Sequence, residues 1–373
     1  MMGITTIFIF VSYGLGLYKY IEDVSTGSSV DKLLIQPKGS ALAGMDTTFS
    51  FSEDDLKAVE QTAGVYDASG IYFKVVELTQ KKKLAYTYLI SYDPAKPLIM
   101  ELFNLDIIKG RQLKPGDSGV VLGYNYQFPD KIFSKSYSLN QNIEVQGLDL
   151  KILGFYSQVG NPQDDLQIYV TNDKIKEIFS DENLSYNWII AEVDVTRMDS
   201  IKKNIERALR NERGLEKGKE DFFVQSYDEM IESYSSVLDI VIGFIILIAL
   251  ISVLVSSINT ANTMVTSVLE RVKEIGVIKS IGGKNSEVFN IFLFESAFLG
   301  FIAGVIGVVL GWILSFIGSL ILDQIGYSFL SPYFPISLFL GCILFAVLTG
   351  AISGVIPAVK ASKTNPVETL RYE

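Results

Sequence analysis

The sequence predicts a membrane protein with four transmembrane α-helices and a large α+β extracytoplasmic domain between the first and second. Three observations carry this expectation. Four long stretches are almost free of charge, a long polar segment separates the first from the second, and a short charged segment separates the second from the third. A membrane helix needs about 20 apolar residues, rising about 1.5 Å each, to cross about 30 Å of hydrocarbon. Met1–Tyr18, Ile240–Ile258 and Phe334–Val359 contain no charged residue, and Val288–Leu322 contains only Glu295. Buried core helices rarely run so long without charge, so the bilayer is the expected surrounding.

The first span reaches full length only when extended to Ile21, past Lys19. Met1-Met2 enters it with no basic flank and no cleavage pattern, which reads as a shortened start rather than a secretory signal. Residues 22–230 form the next predicted unit. Between residues 19 and 236 the chain holds 25 of its 32 Lys and Arg and 34 of its 42 Asp and Glu. That acidity argues against a nucleic-acid or anionic-lipid surface. The single cysteine, Cys342, lies in the last apolar run, so the domain has no disulfide staple. There is no histidine, which excludes His-based metal sites, general bases and pH switches.

Within the domain, Lys32–Gln36 reads as a strand, and Ser52 with Asp55 three residues on reads as the capped start of a helix. Branched and aromatic residues predict strands at Val65–Val76, Lys83–Ser91, Val120–Gly123, Asn142–Val145, Asp149–Phe155, Gln167–Thr171 and Asn187–Val195. Tyr66, Tyr72, Tyr86, Tyr88 and Tyr92 read as strand residues rather than a ligand pocket. Ile201, Ile205, Ala208 and Leu209 line one face of a helix over Ser200–Asn211. Phe222–Gln225 is a last strand, and Tyr227–Leu238 continues as helix toward the membrane.

The remaining spans are expected at 237–262, 288–322 and 334–359, with a loop at 263–287 and a tail at 360–373. The third exceeds one crossing, so it should tilt, kink or protrude. Orientation follows from basic residues at the membrane ends. The 263–287 loop has four Lys/Arg and the tail three, while the loop at 323–333 has none. The positive-inside bias puts the first two in the cytoplasm and the large domain outside.

Gly300, Gly304, Gly307 and Gly311 fall on one face of the third span, where small residues let helix backbones approach closely. The pattern fits packing within the chain as well as a contact between copies. Glu295 is a carboxylate at depth, at a cost of about 2.5–3.5 kcal/mol on insertion scales. Snorkelling, or a hydroxyl or backbone partner, would satisfy it; a coupling or gating role is the other reading.

The segment Glu270–Gly283 is a polar helix pattern pinned between two spans and ended by Gly282-Gly283. By charge alone it fits a headgroup-bound amphipathic helix as well as a docking helix. Asn262–Gly276, with its S-V-x-E-R-x-x-E-I-G pattern, and Lys279–Gly283 resemble the MacB/FtsX family of ABC-transporter permease subunits. So does the ending Pro357–Arg371, and, more weakly, so do Gly110-Arg111, Val120–Gly123 and Asp164–Val170.

The resemblance covers nearly the whole chain. It implies a MacB-type extracytoplasmic domain, an FtsX-like permease domain over 231–373, and a prokaryotic cell membrane. It also implies a coupling helix to a separate ATP-binding subunit, carried here onto Glu270, Arg271, Glu274, Gly276 and Lys279. The chain has no G-x-x-x-x-G-K-[ST] loop, so ATP and Mg are expected on that partner; no catalytic, cofactor or metal residue is assigned here. A homodimer or a heterodimer with a related permease, and an extracytoplasmic accessory protein, complete the implied assembly.

The expected activity is mechanotransmission, moving the outer domain to export or extract a peptide, lipoprotein or drug. The alternative within the family is a regulator of a cell-wall hydrolase or sensor. A membrane-anchored enzyme is the reading from a different class, and only carboxylate-pair chemistry is open to it.

Overall fold

The computed structural model describes residues 2–27, 30–38 and 50–363. The chain divides into two units. One comprises Met1–Lys19, Ser236–Gln324 and Leu330–Glu373; the other comprises Tyr20–Ser235 and Ile325–Phe329. The first helix, α1 (Met2–Gly27), has no acidic residue in its first turn and no basic residue in its last.

The domain begins with β1 (Lys32–Pro37) and α2 (Glu53–Glu60). Ser52 caps α2 as its sequence predicts: its Oγ accepts from Asp55 N at 3.0 Å, and Asp55 Oδ2 accepts from Ser52 N at 2.8 Å. Such a cap contributes on the order of 1 kcal/mol. There follow β2 (Val65–Gln80), β3 (Lys83–Tyr92), α3 (Leu98–Leu102), β4 (Ile107–Gly110), β5 (Val120–Leu122), β6 (Asn142–Val145), β7 (Leu148–Tyr156), β8 (Ile168–Thr171), α4 (Asn172–Ile178), β9 (Trp188–Val193), α5 (Met198–Glu212) and β10 (Phe222–Ser226).

These strands form a mixed sheet of ten, ordered β10-β1-β9-β2-β3-β8-β5-β7-β4, with β6 bridging β2 and β7. Strand β2 holds it together. Its first half, Val65–Ile71, pairs with β9, and its second half, Tyr72–Gln80, pairs with β3. Only β3 with β8 and β5 with β7 run parallel.

Both faces of the sheet are covered, so its strands are apolar on both sides. Leu33, Ile35, Val120, Leu122, Ile189 and Ala191 point to one core, together with Val59 of α2 and Ile201, Ile205 and Leu209 of α5. Their neighbours Leu34, Val121 and Ile190 point to the other, which takes in α3 and the aromatic residues Tyr92, Tyr156 and Tyr169. This is the two-residue period of a strand applied to a sheet buried on both faces. Tyr227 and Met230 close the second core.

Three elements lie beyond the sequence expectation. Strand β4 is a four-residue edge strand, mostly exposed, and so lacks an apolar signature. Helix α3 has five residues, too few for a period. Helix α4 starts on Thr171, whose hydroxyl accepts from Lys174 N at 3.1 Å just where β8 ends. Strand β2 also runs four residues past Val76, to Gln80.

The other unit holds most of α1, then α6 (Tyr227–Glu270), α7 (Val272–Ser280), α8 (Asn285–Ile325) and α9 (Ile336–Ser362). Helices α1, α6, α8 and α9 are each long and apolar enough to cross a membrane. Helix α6 starts before the predicted span and absorbs the first eight residues of the predicted 263–287 loop, because no breaker occurs before Arg271.

Phe8 of α1 is fully buried, 5.0 Å from Phe339 and stacked 6.1 Å from Phe334. Thr5 Oγ1 donates to the Gly307 carbonyl at 3.0 Å, and Ser12 and Ser315 share a hydroxyl pair at 3.3 Å. With no water inside the bilayer, such pairs satisfy side chains that lipid would leave unpaired.

Candidate functional site

Helix α7 is short because both its ends are set locally. Arg271, at φ −102° and ψ 16°, breaks the chain between α6 and α7. At the other end Gly282 takes φ 103°, in the left-handed region that disfavours side chains. The Gly283 amide donates to the Ile278 carbonyl at 3.0 Å, and the Gly282 amide donates to the Lys279 carbonyl at 3.1 Å. These two bonds make the glycine-ended C-cap that closes a helix sharply. A methyl group on Gly283 would lie 2.7 Å from the Ile278 carbonyl oxygen, so this glycine also serves the close approach. Helix α8 then starts with Lys284 N donating to Glu287 Oε2 at 3.0 Å.

The helix has two sides. Ile275 and Gly276 are buried. Ile275 joins Met264 and Val268 of α6, Val288 and Phe292 of α8, and Ala358 and Ala361 of α9 in one apolar cluster, with Ile278 packed against it. On the outer side Arg271, Lys273, Glu274, Val277 and Ile281 are exposed, as is Glu270 at the end of α6; Val277 is 51% and Ile281 82% exposed. Charges of both signs therefore surround two free apolar side chains. That composition suits a polar-rimmed protein contact better than the cationic face of a headgroup-bound helix.

The sequence-assigned residues divide between these sides. Glu270, Arg271 and Glu274 face outward. Gly276 is buried, and Lys279 turns toward the end of α9, donating from Nζ to the Ser362 carbonyl at 2.5 Å. A cation on the last carbonyls of a helix is favourable there. Lys273 and Ile281, which belong to the charged and apolar pattern of this segment but carry no coupling assignment from the resemblance, also face outward, and their spacing from Glu270, Glu274 and Val277 repeats the helical turn.

Glu295 has a charged partner that spacing did not indicate. Its carboxylate lies 3.4 Å from Arg271 Nη1, which bridges the α6–α7 break to α8. The pair is half-exposed, so its value lies in fixing Arg271 rather than in a large gain in stability.

Gly300, Gly304, Gly307 and Gly311 are all buried. A methyl group on Gly300 would lie 2.6 Å from the Ala346 carbonyl oxygen, and one on Gly304 2.7 Å from Ala346 Cβ. One on Gly311 would lie 3.0 Å from Phe8 Cδ1. The stripe therefore packs against α9 and α1 of the same chain. The family-like ending Pro357–Arg371 runs outside the described residues beyond Lys363. Among the described residues no cluster of carboxylates and thiols could hold a metal ion.

Two family models match the chain. The MacB-like periplasmic core domain covers residues 1–208, and the FtsX-like permease C-terminal domain covers residues 241–366. An uncharacterized ABC transporter permease of Methanocaldococcus jannaschii is 30% identical over all of this chain and 92% of its own length. YknZ of Bacillus subtilis, an uncharacterized ABC transporter permease, is 27% identical over all of this chain and 93% of its own. The macrolide export ATP-binding/permease protein MacB of Marinobacter nauticus is 27% identical over all of this chain, which spans 57% of that relative. The chain thus belongs to the MacB/FtsX family of ABC-transporter permeases, multi-pass proteins of the prokaryotic plasma membrane with a large extracytoplasmic domain.

Proposed function

We propose that this chain is a permease subunit that couples ATP hydrolysis by a separate ATP-binding subunit to movement of its extracytoplasmic domain, by mechanotransmission. The movement would export or extract a substrate such as a peptide, lipoprotein or drug. The observation that carries this reading is the two-sided build of α7. Its inner side is packed into α6, α8 and α9, so a force on the helix reaches all three. Its outer side exposes Glu270, Lys273, Glu274, Val277 and Ile281 to a partner, beside Arg271, which is held by Glu295.

Helix α6 supports a mechanical route. It is unbroken from Tyr227 to Glu270, about 66 Å at the ordinary rise, and its first turns, with Tyr227 and Met230, belong to the second core of the domain. A helix moved at one end carries its other end with it. A second permease copy, identical or related, fits along α6. Phe244, Leu247, Ile251, Leu254 and Ile258 repeat at the spacing of a two-helix seam and are all more than half exposed.

The test is Glu274→Lys in the full chain, expressed with its ATP-binding partner. Glu274 is exposed, so membrane insertion and the outer domain should be unaffected. Charge reversal in a protein contact can cost several kcal/mol, so complex formation or ATPase stimulation should be lost. Gly276→Pro should act more strongly, since proline inside a helix costs about 3 kcal/mol or more. Full pull-down and full ATPase activity in both variants would leave α7 a surface helix and end this reading.

A further inference from the structure

The connection between α8 and α9 is short, yet Ile325–Phe329 belongs by its contacts to the domain. It lies against the loop between β7 and β8, Ser157–Gln167. The Phe329 amide donates to the Gly160 carbonyl at 3.2 Å, and Gln158 Nε2 donates to Ser328 Oγ at 3.1 Å. The Phe329 ring tilts against Tyr20, centroids 5.7 Å apart, and the Tyr20 hydroxyl reaches the Val159 carbonyl at 3.4 Å.

The approach is reciprocal. Each segment brings a buried glycine in the left-handed region, Gly160 at φ 90° and Gly326 at φ 99°. A methyl group on Gly160 would lie 3.4 Å from Phe329 N, and one on Gly326 would lie 3.3 Å from Pro162 Cγ. Both backbones are thus shaped for the same contact.

The domain side of the contact is braced from within. Asp165 is 1% exposed, and its carboxylate accepts from Val159 N at 2.7 Å and Gly160 N at 3.2 Å. Asn161 Oδ1 accepts from Gln163 N at 3.1 Å, while Asn161 and Gln167 donate to the two oxygens of Asp164 at 3.0 and 2.8 Å. Burial pushes both Asp164 and Asp165 up from the usual carboxylate range. Burying one carboxylate and half-burying its neighbour to brace one loop is costly unless the loop must hold its shape.

We propose that Ser157–Gln167 and Ile325–Phe329 form a clamp that stays shut and ties the α8/α9 hairpin to the domain. Movement of the membrane helices would then reach the domain at a third point, besides α1 and α6. The proposal rests on the transmission reading above and assigns it a residue-level linkage.

The test uses the full chain with its ATP-binding partner in membranes, in a Cys342→Ser background. Gln158→Cys with Ser328→Cys should form a disulfide under mild oxidation, both at rest and in the vanadate-trapped state, with ATPase activity retained. No cross-link in either state, or ATPase lost on cross-linking, would overturn the clamp. In a separate arm, Gln158→Ala with Phe329→Ala should diminish the nucleotide-dependent change in hydrogen exchange of the domain, most at Ser157–Gln167, while leaving ATPase activity and complex formation intact. An undiminished change in that variant also overturns it. A wild-type domain that shows no nucleotide-dependent change sinks the transmission reading and the clamp together. A responding wild type beside an equally responding variant sinks the clamp alone. Should the double-alanine variant fail to fold, the cysteine pair decides.

Discussion

Consider Gly300→Ala in the seam between α8 and α9. The added methyl would lie 2.6 Å from the Ala346 carbonyl oxygen and 3.2 Å from Gly350 Cα. Both are backbone atoms, and no rotamer change relieves them, so the helices must separate by several tenths of an ångström. Overpacking of this kind costs roughly 1–3 kcal/mol. Alanine gains about 1 kcal/mol of helix propensity over glycine, which offsets part of it.

The net expectation is destabilisation of about 1 kcal/mol, and more for Gly300→Leu. Gly341 supplies the control: it sits inside α9 with nothing within 4 Å of the added methyl, so Gly341→Ala should be neutral or stabilising. Cys342 serves as the reporter. It is the only cysteine in the chain, is 5% exposed, and lies one turn from Ala346. A fluorogenic maleimide should react with it only as the bundle opens on heating in detergent. Gly300→Ala should melt lower by roughly 2–4 °C per kcal/mol. If Gly300→Ala and Gly341→Ala melt together, the seam is not packed as described. If the loss appears only as a change in oligomeric state at unchanged melting temperature, the stripe joins copies instead.

Three further outcomes are expected. Ile275→Ala should destabilise the helical unit by about 2–5 kcal/mol in the same melting assay, because it empties a buried site, whereas Val277→Ala should leave the melt unchanged and weaken only partner binding. Backbone amides, that of Gly218 first, and the Arg210 guanidinium hold Glu220 down to about 2 from an ordinary 4.5, so its contribution is complete above pH 4.5 and lost as pH falls through about 2. The stability gap between wild type and Glu220→Gln, followed by Trp188 fluorescence in a Trp312→Phe background, should close over that window; a constant gap refutes it. Cysteines at Ser118 and Ser286 in a Cys342→Ser background should label oppositely with an impermeant reagent on intact cells, and labelling of Ser286→Cys alone would reverse the orientation.

The sequence by itself determined the four apolar helices, the position of the domain between the first two, and most of its strands. These are local properties: charge-free length sets a span, and branched residues at strand spacing set β-structure wherever a strand is long enough to show it. The capping box at Ser52 and the Gly282-Gly283 stop were legible for the same reason, since each acts within one turn. The short edge strand β4 and the small helices α3 and α4 were not, because four to seven residues carry too little pattern.

At the candidate site, composition alone marked Glu270–Gly283 as a charged helix between spans. Only the tertiary structure decided which side of it was free. Ile275 and Ile278 look as available as Val277 in sequence, but the turn of the helix and the packing of α6, α8 and α9 take the first two inward. The partner of Glu295 was equally undetermined, because Arg271 is 24 residues away in sequence and reaches it through the kink after α6. Likewise, spacing showed that Gly300, Gly304, Gly307 and Gly311 share a face, and folding chose α9 and α1 as what that face touches. A helix's period reveals which residues stand together; which neighbour they meet depends on contacts between distant parts of the chain.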